Sequence, residues 1–417
     1  MNEWSGARPI DDRAALLPNA RQAEEYLLGL ELFGMRFGLD RMHKLMTVLG
    51  LPQRRFASIH VVGTNGKSST VRFCAAILER HGLRTGSYTS PHLRSFRERI
   101  EVGEEPVSEA DFAAAVARAA HAAELVNRTV EPDDRVTQFE ALTAAAYHEL
   151  ARRDVEVAVI EAGLGGRFDA TNVIPSKVQV LTGVGLEHTR WLGPTVKDIA
   201  EEKLAVVREH ATLVTPPELD PAVEALAARA PARRARAAAV SGGFQDANFA
   251  LASAAAAAFL GRDLDQAAVA AARTETRIPG RLDVVAEEPL TVYDGAHNPS
   301  GAAALAQALP SLLGERRPRV GVVSVLEDKD AAGMLRELVP IFDRFVFTRC
   351  ANPRALSPAT LESLAEKLHG PPAETVADPA AAVERAQALG EAVVATGSIY
   401  LISDLVREEG DARASTL

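Results

Sequence analysis

Cysteine is almost missing from this chain: two residues, Cys74 and Cys350, in a sequence of 417. Two thiols build no disulfide framework, and neither stands beside other ligands at zinc-binding spacing. Cys74 falls on the apolar face of an expected helix, where a small core residue is the ordinary reading. Long apolar runs are missing too. The most hydrophobic stretches are alanine-rich and interrupted, too short to cross a bilayer, so no membrane partner is expected. The segment MNEWSGARPIDDRAALLP has neither a basic start nor an apolar centre, which argues against a signal peptide and for a cytoplasmic protein. Nor is there an excess of positive charge. Lys and Arg total 46 against 56 Asp and Glu, a formal net charge of -10. That balance gives no footprint for nucleic acid, although a local basic site for a phosphorylated or polycarboxylate ligand is compatible with it.

What is present is ordinary globular material. Hydrophobic residues make up 47% and charged residues 24%, over a length that suits two or three domains. Apolar runs alternate with helical patterns, predicting an α/β fold with largely parallel sheets. In the first half, strands are expected at 56–62, 85–89, 155–163 and 178–185, with helices at 67–81, 108–127 and 138–152. Residues 224–240, EALAARAPARRARAAAV, read as an exposed helix, a loop or the alanine-rich drift of a high-GC genome, with no function attached. TETRIPGRLDVV (274–285) places Pro279 and Gly280 between patterned regions and is the expected hinge. Beyond it, LTVYDGA, RVGVVSVL, RFVFTRC and EAVVATG read as strands, with helices near 299–313, 331–338, 357–369 and 378–389. The boundary is expected at 285, dividing the chain into residues 1–285 and a smaller unit of 286–417.

Between a buried strand and a helix stands HVVGTNGKSST (60–70). A glycine turn leading into a helix gathers backbone N–H groups into an anion site. A lysine there reaches terminal phosphates, and a following hydroxyl binds Mg2+. Gly63, Thr64, Asn65 and Gly66 supply the turn, Lys67 the charge, and Ser68 and Ser69 the hydroxyls. The common phosphate-loop pattern, G-x-x-x-x-G-K-S/T, would place its first glycine at Val61. A chance surface turn is the competing reading, and the position between strand and helix disfavours it.

Other strand ends carry polar groups of the kind a nucleotide–metal site uses. SPHL (90–93) offers Ser90 and His92. FEALTAAAY (139–147) opens a helix with Glu140, which reads equally well as a helix-capping carboxylate. EAGLGGRFDATN (161–172) fails as a dinucleotide fingerprint because Phe168 holds the third glycine position. What remains is a glycine-rich turn presenting Arg167 and Asp169. GLEHTRWLG (185–193) sets Glu187 beside His188, and DGAHNPSG (294–301) ends a strand with Asp294, His297 and Asn298. A solvated histidine is the ordinary reading of His188 taken alone, since Mg2+ takes mostly oxygen ligands.

Taken in order, these motifs resemble the folylpolyglutamate synthase/dihydrofolate synthase family of Mur-type ATP-dependent amide ligases, nearly end to end. GLDRMHKLMTVLG, HVVGTNGKSST, TSPHL with RERIEV, FEALTAAAY, EAGLGGRFDATN, GLEHTRWLG with EEKLAVV, PGRLD, DGAHNP, DKD and GSIYL stand in family order. The specific ones are GLGGRFDATN and DGAHNP. The family's loop is the shorter G-T-N-G-K form, which accounts for Val61. The chain departs from the usual pattern at Ser68-Ser69, where Gly-Ser is usual, and at Glu187, Phe244 and Asp283, where Asp, His and Glu are usual.

The resemblance implies an N-terminal phosphate-loop ATPase domain of Mur-ligase type and a smaller Rossmann-like C-terminal domain. It implies ATP and two Mg2+ ions held by Ser68, Ser90, Glu140 and His188, and a Lys203 that such ligases often carry as a carbamate. An ordinary helix-surface lysine is the competing reading of Lys203. Asn248 would contact adenine, Arg281 phosphate, and Asp294 with His297 the ribose and phosphate. Gly165, Gly166, Arg167 and Asp169 would lie near the pterin. The implied reaction transfers the γ-phosphoryl of ATP to a carboxylate, and L-glutamate's amine then attacks the acyl phosphate. Lys67 and the metal ions would offset like-charge repulsion, with His297 as a candidate proton acceptor. The acceptor is dihydropteroate, tetrahydrofolate polyglutamate or both, and a monomer is expected. A regulatory GTPase would need a guanine-reading N-K-x-D after a later strand, which is absent from the sequence. A peptidoglycan amino-acid ligase is the nearer rival, disfavoured by GLGGRFDATN and by the lack of an additional N-terminal substrate domain.

Overall fold

Two β-sheets organise the chain. The computed structural model describes residue 17, residues 19–31 and residues 38–407. The first sheet contains β1 (Ala57–Val62), β2 (Thr85–Tyr88), β3 (Ile100–Val102), β4 (Glu105–Pro106), β5 (Val157–Glu161), β6 (Val178–Leu181), β7 (Thr212–Thr215) and β8 (Arg233–Arg236). Their spatial order is β4-β3-β2-β5-β1-β6-β7-β8, parallel from β2 to β8, with β3 and β4 antiparallel at one edge.

The central strands read as unbroken apolar runs because both faces are covered. In β5, Ala158 and Ile160 enter the core formed with helices Glu109–Asn127 and Gln138–Arg152. Val157 and Val159 enter the opposite core, with helices Lys67–Arg80 and Phe244–Leu260. The carboxyl end of β1 thus opens between strands that lie on either side of it, where ligands of doubly wound sheets bind.

The second sheet contains β9 (Asp283–Glu287), β10 (Leu290–Tyr293), β11 (Arg319–Val323), β12 (Arg344–Phe347), β13 (Ala373–Thr375) and β14 (Ala392–Thr396), in the order β13-β12-β11-β14-β10-β9. Only β9 runs antiparallel to its neighbour. Asp283 already belongs to this sheet, and the last strand of the first sheet ends at Arg236, so the change of sheet falls between these two residues. The expected helices in this half appear as Pro299–Leu313, Ala331–Leu338, Pro358–Lys367 and Pro379–Leu389.

Segment 224–240 is neither a single exposed helix nor a loop. It holds the end of helix Pro221–Ala227 and then β8, which pairs with β7 at the sheet's edge. Arginine is tolerated there because an edge strand keeps polar side chains in water. Arg234 and Arg236 both reach Glu224, at 2.7 Å each. Among the described residues no helix is long and apolar enough to cross a membrane.

Candidate active site

Helix Lys67–Arg80 begins where β1 ends, and the turn between them is held from β6. Thr182 Oγ1 donates to Asn65 O at 2.6 Å, and Thr64 N donates to Gly183 O at 2.9 Å. Gly63 has φ +152°, and a Cβ there would fall 1.9 Å from Thr182 Oγ1, so only glycine fits. Gly66 also has positive φ, +82°, and packs on Asn248, whose Oδ1 would lie 2.3 Å from an added Cβ. Lys67 Nζ folds back on Thr64 O at 3.1 Å, and Thr70 Oγ1 donates to Gly66 O. The arrangement is an anion cradle at a helix N-terminus.

The carboxylate at this cradle is Glu161, the last residue of β5. It ends β5 beside β1, accepting from Ser68 Oγ at 3.0 Å and from the Ser90 N–H at 3.1 Å. Burial pushes its carboxyl up, against the opposing pull of Lys67, the Ser90 N–H and the Ser68 hydroxyl. Ser69 is buried in the helix, so Ser68 is the hydroxyl turned to a carboxylate.

Glu140, expected as a metal ligand, is occupied otherwise. Its Oε2 accepts from Thr137 N at 2.9 Å and Thr137 Oγ1 at 3.0 Å in a capping box, and its Oε1 takes Arg41 Nε at 3.0 Å. Arg41 pairs with Asp134 as well. Both oxygens of Glu140 are therefore spent on the helix start and a buried arginine. The signal that would have found Glu161 was its place as the last residue of a central strand.

Lys203 comes from helix Val196–Leu204 and is buried, its Nζ donating to Gly63 O at 2.7 Å. Burial, reinforced by Lys67, lowers its pKa to about 7. A surface-lysine reading is excluded. His188 stands in the left-handed conformation with Nε2 3.6 Å from Glu187 Oε1. Although 40% of its side chain is accessible, burial of the ring and nearby Lys329 and Lys67 push it down to about 4. A neutral imidazole at neutral pH is the form that binds metal.

From the second domain, His297 Nε2 approaches Glu187 Oε1 at 3.1 Å and Nδ1 lies 2.9 Å from Gly295 O. Both ring nitrogens face oxygens, so His297 links Glu187 to the Gly295 turn in this arrangement. Burial opposes the charge on Glu187, but the His297 contact, Lys67 and His188 hold the carboxyl well below its usual range. Asn65 donates to Asn298 Oδ1 at 3.2 Å and Ser300 Oγ at 2.8 Å, and Asn298 Nδ2 returns a bond to Asn65 Oδ1 at 3.1 Å. The phosphate loop is thereby clasped to the start of helix Pro299–Leu313. Asp294 accepts from Leu282 N and Ala296 N, and Arg281 lies within electrostatic reach of Asp294 and Glu161.

The glycine-rich turn after β5 faces the same cleft. Gly166 passes so close to helix Val196–Leu204 that a Cβ would meet Glu202 O at 2.7 Å and Lys203 O at 2.9 Å. Arg167 pairs with Glu202 at 2.9 Å, and Leu192 packs on Gly165. Asp169 does not offer its carboxylate to a ligand. Oδ2 accepts from Leu164 N at 2.7 Å, and Oδ1 accepts from Thr171 N at 3.0 Å and Thr171 Oγ1 at 2.5 Å. Because Thr171 Oγ1 donates to Asp169, it accepts from buried His60 Nε2, 2.8 Å away. Burial keeps His60 neutral, its pKa lowered to about 3. Asp169 is thus the organiser of the turn.

Lys67, Ser68, Ser90, Glu161, Gly165, Gly166, Asp169, Glu187, His188, Lys203, Asn248, Arg281, Asp294 and His297 line one cleft of about 1410 Å³, and Arg167 lies outside its lining. Residues 280–399 match the Mur ligase, glutamate ligase domain family. The chain is 36% identical over 382 residues to the dihydrofolate synthase/folylpolyglutamate synthase of Mycobacterium tuberculosis, spanning 80% of this chain and 78% of that protein. The structure of Mycobacterium tuberculosis folylpolyglutamate synthase complexed with ADP and AMPPCP is similar at a TM-score of 0.84 and 34% identity, over 94% of this chain and 98% of that one. A bifunctional folylpolyglutamate synthase/dihydrofolate synthase with Mn, AMPPNP and L-glutamate bound gives 0.81 at 29% identity, over 94% and 98%. Likeness of this extent, with the phosphate cradle and the glycine-rich turn opening on one cleft, means that the chain belongs to the dihydrofolate synthase/folylpolyglutamate synthase family.

Proposed function

We infer that this protein is an ATP-dependent ligase that joins L-glutamate by an amide bond to dihydropteroate and to tetrahydrofolate polyglutamates. The observation that carries the reading is the clasp of Asn65 to Asn298 and Ser300, which sets the phosphate loop against the domain that matches glutamate ligases.

Joining a carboxylate to an amine in water is uphill. Phosphoryl transfer from ATP converts the acceptor carboxylate to an acyl phosphate, and such transfer depends on positioning and charge neutralisation. Lys67 and the N–H groups opening helix Lys67–Arg80 meet the phosphate charge. Asn248 flanks the loop for the base, while Arg281 and Asp294 supply the second domain's edge. Ser68, Glu161, Ser90 and neutral His188 suit a hard cation. Among the described residues no three His, Cys, Asp or Glu converge, so these four would hold such a cation only together with oxygens of the nucleotide. When bound, it neutralises charge on the transferring phosphoryl group.

Lys203 has the properties of a carbamate former. An amine with a pKa of about 7 is substantially neutral at physiological pH. Addition to CO2 releases a proton and leaves an anionic oxygen pair beside Lys67 and the loop. The resulting negative charge replaces a buried cation next to another cation. Isotope-labelled bicarbonate followed by 13C NMR checks this, with the carbamate signal expected in wild type and absent from Lys203→Met.

The hinge lies at 276–282, the protein acts as a cytoplasmic monomer whose site comes from one chain, and nucleic acid is no partner. The test is phosphate release with ATP, Mg2+, L-glutamate and either acceptor, with mass spectrometry for a product one glutamate heavier. Products from both acceptors are expected. Hydrolysis of ATP without either product overturns the reading.

A further inference from the structure

The two acceptors differ by one charge. Dihydropteroate has a single carboxylate, which reacts. A folate already carrying glutamate reacts through its γ-carboxylate and keeps an α-carboxylate that stays ionised throughout. The wall near the glycine-rich turn carries Glu187, Asp198, Glu201 and Glu202, so an extra anion there needs a cation.

Most cations of the cleft are already engaged. Lys67 and Lys203 are bound to backbone oxygens of the phosphate loop. Arg41 pairs with Glu140 and Asp134, Arg354 and Lys329 pair with Asp328, and Arg281 lies between Glu161 and Asp294. Arg190 differs. Among the described residues its guanidinium makes no ion pair or hydrogen bond, and it lies 5.2 Å from the centre of the Trp191 ring. Its short helix, Thr189–Leu192, is fixed from beneath by buried Leu192, which packs on Gly165 of the turn. Arg190 therefore stands at a defined place on the cleft wall, two residues past His188.

We propose that Arg190, laid on the face of Trp191, is a specificity residue that pairs with the α-carboxylate of a glutamylated acceptor and so favours chain extension over addition of the first glutamate. The inference rests on the ligase reading given above. A planar guanidinium matches a carboxylate in two parallel hydrogen bonds, and the indole face holds it in position while leaving its edge free to donate.

The test compares kcat/KM for tetrahydrofolate and for dihydropteroate in wild type, Arg190→Ala and Arg190→Lys at fixed ATP, Mg2+ and L-glutamate. The ratio of tetrahydrofolate to dihydropteroate efficiency is expected to fall about tenfold in Arg190→Ala, equivalent to about 1.4 kcal/mol. Most of the fall is expected in KM for tetrahydrofolate, with partial recovery in Arg190→Lys. Tetrahydrofolate amidated at its α-carboxyl should be used equally by wild type and Arg190→Ala. Equal losses with both acceptors, or no change with either, overturn the proposal while leaving the ligase reading intact. A wild-type protein that glutamylates neither acceptor overturns the ligase reading and the proposal with it.

Discussion

Exchanging the two glutamates one at a time separates the roles assigned to Glu161 and Glu140. Glu161→Gln keeps size and one acceptor but removes the charge beside Ser68 and Lys67. Losing one preorganised electrostatic group at a reacting centre typically lowers kcat by about 10²–10³. Stability should move the other way. The folded protein raises the pKa of Glu161, so the cost of its charge appears as pH rises through the unfolded value and is complete above the folded one. At pH 7.5 the neutral amide escapes that cost, and Tm without nucleotide should be unchanged or higher. Glu140→Gln does the reverse. It breaks an ion pair whose side chains are 7% and 8% exposed, although Asp134 still meets Arg41 and Gln still serves the capping box. A loss of about 2 kcal/mol follows, below the full cost of breaking a buried pair. At about 2–4 °C per kcal/mol, Tm drops by about 4–8 °C, with kcat per folded molecule nearly kept. Differential scanning fluorimetry and ATP-dependent phosphate release, run on both variants, are the assays. An active Glu161→Gln beside an inactive Glu140→Gln of wild-type Tm would refute the assignment.

Lys67→Ala should abolish turnover while circular dichroism and Tm stay close to wild type, and near-normal activity would remove the phosphate site from this loop. Gly63→Ala should abolish ATP binding in calorimetry, because its Cβ meets Thr182 Oγ1 and its φ of +152° disfavours any side chain. Lys203 has a folded pKa lowered to about 7, so the unfolded chain binds its proton more tightly and stability rises with pH between about 7 and 10. Urea unfolding across pH 7–9.5 in CO2-free buffer should show that rise in wild type and a flatter profile in Lys203→Met.

The sheets were legible where burial on both faces leaves continuous apolar runs, as in β1, β5, β6, β10, β11, β12 and β14. Short edge strands were not. β8 reads RRAR, and only its pairing with β7 makes it a strand. The phosphate loop was legible because its chemistry is local: turn, lysine and hydroxyls lie within seven residues, GTNGKSS. Glu161 is not legible locally because its place at the cradle depends on β5 lying beside β1, a contact across about a hundred residues of chain. Thr137 and Glu140 carry a sequence signature that suits a helix cap and a metal ligand equally, and the buried Arg41 that pairs with Glu140 lies 99 residues away in the chain. The clasp between Asn65 and Asn298 joins residues 233 apart and leaves no local trace.

Strand β1 carries the phosphate turn at its end and, three residues before Gly63, the histidine whose ring leads through Thr171 to Asp169 and the glycine-rich turn. Both sites on the first domain are therefore mounted on a single rigid rail. Their spacing has no freedom to stretch as the acceptor gains glutamates. The distance from the phosphate turn to the glycine-rich turn is therefore the same for every acceptor the cleft takes.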